Sequence, residues 1–68
     1  MVRTDKLRGL MAEQKISGIA MANELGVSPQ AFYKKMSKGR FGLEDARIMT
    51  KVLGIENPVE IFFAENVT

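Results

Sequence analysis

The chain is predicted to be all-α, a single compact domain (1–68) of four to five short helices, and three observations carry that prediction. Apolar residues recur at three- and four-residue spacings, as in Leu7, Leu10 and Met11 or Phe32 and Met36. No segment alternates apolar and polar with period two, so strands have no support. Between the stripes stand the residues that start and stop helices: Ser17, Ser28 and Asn57 before them, Gly26 and Gly54 after them.

The first helix is expected to open at Thr4 as its cap, with Asp5 favourable at the positive end of the helix dipole. The second opens at Ser17. Ile16 before that cap and Met21 one turn on are spaced as a hydrophobic staple. Met21, Ala22 and Leu25 make its inward stripe, and Gly26 ends it in a left-handed turn. Gly18 and the apolar Ile19 and Ala20 are out of place where polar residues are expected. The third helix runs from Ser28 to about Ser37, with Pro29 in its first turn and Phe32 and Met36 inward. Gly39 and Gly42 bracket a basic loop whose Phe41 returns to the core. A fourth helix spans about Leu43 to Leu53, with Leu43, Ala46, Met49, Thr50 and Leu53 on one face and Ile48 and Val52 beside it. A last short helix follows Asn57 and Pro58, with Val59, Phe62 and Phe63 as its apolar payload. Phe62 and Phe63 are adjacent and cannot both face inward, so one is expected at the surface as a partner contact.

With 68 residues and no cysteine, stability must come from apolar packing, helped by a partner chain if one is present. The 46% hydrophobic content argues against disorder. The absence of both histidine and cysteine removes Ser/His/Asp and Cys/His arrangements and argues against a zinc site, so no enzyme and no cofactor are expected. No apolar run approaches a membrane span, and none follows the basic residues near the N-terminus. A cytoplasmic protein without a membrane partner is expected.

Net charge is only +2, but it is unevenly spread. Residues 1–40 hold eight basic and three acidic side chains; residues 41–68 hold two and five. From Ser28 to Arg40 there are four bases and no acid, all on or just after the third helix. Two short helices joined by a tight turn (about 17–37), the second one basic, is how a chain offers a helix to the major groove of DNA. With Phe32 and Met36 inward, Pro29, Gln30, Tyr33 and Lys34 turn away. The Gln30 amide matches an adenine edge, Lys34 a guanine edge or a phosphate, and Ala31 a thymine methyl. Tyr33 either meets a phosphate or sugar or is a half-buried surface aromatic. Ser28, Lys35, Lys38 and Arg40 are phosphate candidates, and so are Ser17 and Gly18 at the amino end of the second helix. Gly18 there either admits a phosphate closely or loosens the helix start.

These residues resemble the small phage regulators of the lambda repressor and Cro fold, in the form common in Gram-positive phages. The resemblance covers nearly the whole chain and rests on IAMANELGVSPQAFYKKM, then KGRF followed by LEDA, then LGIENPVEIFF. It implies a helix-turn-helix in which the helix after Ser28 reads bases through Pro29, Gln30, Tyr33 and Lys34, while Ser17 and Arg40 approach the backbone. It also implies a homodimer on operator DNA, acting as a Cro-like transcriptional repressor. Two positions depart from the pattern: Gly18 replaces a glutamine that braces a phosphate contact, and Pro29 replaces a side chain that often reads a base. Both departures, with the apolar Ile19, suit an alternative in which the fold grips a partner phage repressor as a protein-binding modulator. An antitoxin of the same fold is a third reading.

Overall fold

The computed structural model describes residues 2–63, and all regular structure among them is helical. Five helices follow one another: α1 (Thr4–Glu13), α2 (Gly18–Leu25), α3 (Pro29–Lys38), α4 (Leu43–Leu53) and α5 (Pro58–Phe62). α2 packs on α3 and on α4, while α5 bridges α1 and α4. No helix among the described residues is long and apolar enough to cross a membrane.

Helix starts and stops follow local chemistry. Ser17 and Ser28 are true caps: each has an extended backbone, and each hydroxyl accepts from the N–H three residues on, at 3.0 Å from Ala20 and 3.1 Å from Ala31. α4 starts at Gly42, whose N–H donates to the Asp45 carboxylate at 3.2 Å. Thr4 is not a cap. Arg3 holds that place, and Thr4 is the first helical residue, its N–H bonded to the Val2 carbonyl at 2.9 Å. The Arg3 guanidinium hydrogen-bonds Asp5 and holds its carboxyl below the usual range. That exposed pair contributes little. Its contribution is present at neutral pH and lost as pH falls through the depressed value.

Four helices end in the same way. An N–H two residues beyond the helix, or three beyond α1, reaches back five residues to a carbonyl: Ile16 to Met11 (2.8 Å), Val27 to Ala22 (3.0 Å), Arg40 to Lys35 (3.1 Å) and Ile55 to Thr50 (2.9 Å). The residue between must adopt a left-handed backbone, which glycine does without a Cβ penalty. Gly26, at φ 71°, breaks α2 from α3, so no continuous rod runs through this point. Lys15 takes the same conformation at φ 58° as the one non-glycine residue to do so among those described. Ile16, Val27 and Ile55 pack back on the core from these turns, so the joints are pinned by burial as well as hydrogen bonds.

The core is built from Leu7, Met21, Phe32 and Met49, all fully buried, with Met11, Ala22, Met36, Ala46, Leu53, Ile61 and Phe62 around them. Val2 is also buried, and the Arg3 N–H donates to the Ile61 carbonyl at 2.7 Å, tying the N-terminal segment to α5. The Gln14 side-chain amide caps the other end of the domain by donating to the Leu53 carbonyl at 2.7 Å.

Two apolar expectations, Leu43 and Val59, are corrected, while one of the adjacent phenylalanines is exposed as expected. Leu43 is 71% exposed, Val59 55% and Phe63 40%. At about 100° per residue, Ala46, Met49 and Leu53 share an arc of about 60°, and Leu43 lies about 90° from its centre in the first turn. On α5 the inward pair is Ile61 and Phe62. The helix stops at Phe62, so the helical period does not extend to Phe63.

Candidate nucleic-acid interface

α3 is held to the core by Phe32 and Met36. Rotation by about 100° per residue puts Gln30, Lys34 and Lys38, at successive four-residue steps, on the face opposite that pair. All three are exposed. Tyr33 and Lys35 flank the stripe on opposite sides. Tyr33 turns toward α2 and Lys35 toward α4. Ala31 is half-buried and shares a shallow groove with Lys34, Lys38 and Arg40. Pro29, expected to face outward, is half-buried, and it lines a recess with Ser17, Ile19 and Asn23.

The basic side chains divide into two groups. Lys35 Nζ lies 2.8 Å from Asp45 Oδ2, and that carboxylate also accepts the Gly42 N–H that opens α4. Lys35 therefore clamps α3 to the start of α4, its charge already partnered by Asp45. Among the described residues Lys34, Lys38 and Arg40 take part in no ion pair, and all three are exposed. Arg40 stands out on structural grounds. It occupies the helix-end position that Ile16, Val27 and Ile55 fill in the other three turns. There the chain presents a charge instead of an apolar anchor, and Phe41 serves the core in its place, its ring centroid 6.1 Å from that of Phe32.

At the other edge of α3, the Tyr33 ring lies against Gly18 in the first turn of α2. A Cβ added at Gly18 would stand 2.6 Å from Tyr33 Cζ and 2.7 Å from Cε1, and would also collide with the hydroxyl. Tyr33 is 53% exposed and meets Phe32 edge-on at 5.7 Å. The space above Gly18 is thus filled by an aromatic side chain from the neighbouring helix. Position-by-position reading of the chain misses this pairing, because nothing in the period of either helix links residues 18 and 33. Ser17 stays exposed beside the contact, and Ile19 is 64% exposed.

Comparison with protein-family models, with curated proteins and with solved structures gives no match to this chain. The functional reading therefore stands on the geometry of α2, α3 and the loop after them.

Proposed function

We propose that this protein is a sequence-specific DNA-binding regulator of the lambda repressor and Cro type, with α2, the Gly26 turn and α3 as its helix-turn-helix. The observation that carries this is the exposed stripe of Gln30, Lys34 and Lys38 opposite the buried Phe32 and Met36. α3 enters the major groove, Gln30 and Lys34 read base edges, and Ala31, Tyr33 and Pro29 contact the groove walls. Lys38, Arg40, Ser17 and Ser28 meet phosphates, which position the helix without reading sequence. Occupied operators would block transcription. The test is a titration of duplexes drawn from the DNA flanking the gene against scrambled duplexes, across a salt series. Sequence preference together with a steep salt dependence is the expected result; binding that ignores both removes the proposal.

The protein acts as a homodimer on two half-sites ~34 Å apart. The exposed Leu43 and Phe63 line a groove between α4 and α5, with Val59 nearby on α5, and such apolar clustering suits self-association. Phe63 is the partner candidate of the adjacent pair, since Phe62 is buried. Replacing Leu43 and Phe63 by glutamate is expected to raise the dimer dissociation constant at least about tenfold, read by sedimentation equilibrium. Affinity for an isolated half-site should stay unchanged.

One observation favours the second reading, a protein-binding modulator of a partner phage repressor: Ile19 is an exposed branched side chain at the edge of the same surface. Ile19→Asp separates the readings in a co-expression pull-down with the repressor of the same switch. Lost repressor binding with operator affinity intact supports the modulator; lost operator affinity alone supports the DNA reader.

A further inference from the structure

We infer that Gly18 is the seat of Tyr33: by having no side chain it sets where the tyrosine ring stands on the recognition surface, and so acts as a positioning residue for DNA reading. The inference rests on the DNA-binding proposal above for its functional half only. Glycine is a poor helix former and needs a reason to occupy α2. The backbone supplies none, because Gly18 is absent from the left-handed glycines of this fold, which are Gly26, Gly39 and Gly54. Space supplies one. Any Cβ at position 18 would overlap the ring of Tyr33, whereas Gly9, also within a helix, has nothing within 4 Å of the same point.

A tyrosine side chain has only two rotatable angles ahead of its hydroxyl, so contacts on two sides are enough to orient it. Phe32 meets the ring edge-on from within α3, and the first turn of α2 meets it from the other side. The hydroxyl consequently sits beside Gly18, next to the exposed cap Ser17. Residue 18 thereby decides whether the Tyr33 hydroxyl or a displaced ring faces the duplex. A substituted chain keeps its fold, since the ring can swing into the apolar cleft formed by Met11, Ile16 and Met36. Alanine also suits a helix better than glycine.

Tyr33 is the sole tyrosine and the chain has no tryptophan, so its near-ultraviolet circular dichroism and fluorescence report this ring. Gly18→Ala is compared with Tyr33→Ala and the double variant. Without DNA, Gly18→Ala is expected to keep the helical far-ultraviolet spectrum while the tyrosine signal moves toward that of a freely rotating ring. With DNA, it should weaken operator binding roughly tenfold, the size of one lost hydrogen bond to a charged group. The same change in the Tyr33→Ala background should alter binding less than about twofold, because the two sites act through one contact. An unchanged tyrosine signal overturns the inference. Equal losses in both backgrounds overturn it too, since the glycine would then act without the ring. If the unaltered protein binds no duplex, the DNA reading falls, and the spectra alone still decide whether the seat exists.

Discussion

Phe32→Ala is expected to leave the domain largely unfolded at 37 °C. Phe32 is 1% exposed and is the largest of the fully buried side chains. Its ring touches Tyr33 on one side and Phe41 on another, so its removal opens a hole that α3 and the basic loop both border. Truncating a buried phenylalanine costs about 3–5 kcal/mol in lost transfer energy and cavity formation. A domain of 68 residues has roughly 3–10 kcal/mol in total, and without cysteine no disulfide supplements it. Urea denaturation followed by circular dichroism measures the loss. Tyr33→Ala, one residue along, is the control and should cost about 1 kcal/mol or less, because its side chain is half in water. A loss below about 1 kcal/mol for Phe32→Ala would mean that the residue does not anchor α3.

The second large effect concerns affinity. The double variant Gln30→Ala, Lys34→Ala is expected to bind operator about a hundredfold to ten-thousandfold more weakly, since each well-placed base contact contributes about 1–3 kcal/mol of discrimination. Both side chains are exposed, so stability should change by less than about 0.5 kcal/mol each. Where Lys34 also meets a phosphate, the slope of log affinity against log salt falls by ~0.9. Lys35→Ala is the internal control, because its charge is already held by Asp45 at 2.8 Å. It should leave that slope unchanged and lower stability by about 1 kcal/mol at most, given its partial exposure. A double variant that binds like the unaltered protein would end the assignment of α3 as the reading helix.

Much of the architecture is written locally. Ser17, Ser28 and Gly26 act through their own backbone neighbours, so their roles can be read a few residues at a time. Phe32 and Met36 are placed by the helical period alone, and Gln30 and Lys34 follow by elimination. Where the reading fails, a distant element decides. Lys35 looks like its neighbour Lys34 until α4 delivers Asp45 to it. Gly18 looks like a weak helix start until Tyr33 arrives from α3. Leu43 and Val59 carry apolar chemistry at positions that the helices among the described residues leave exposed. Val2 has the opposite history: too close to the chain end to join any periodic stripe, it is buried because the Arg3 N–H pairs with α5.

The joint between α2 and α3 consists of Gly26, Val27 and Ser28 alone, with Val27 packed inward and Ser28 bonded to the next helix. Such a hinge has no slack. On the proposed DNA-binding function, the two helices would meet a duplex as one preformed tool, with little ordering left to be done on contact. Discrimination would then fall on fit: a target whose groove departs in width or pitch would be penalised at once, since a joint this short leaves the pair little room to follow it.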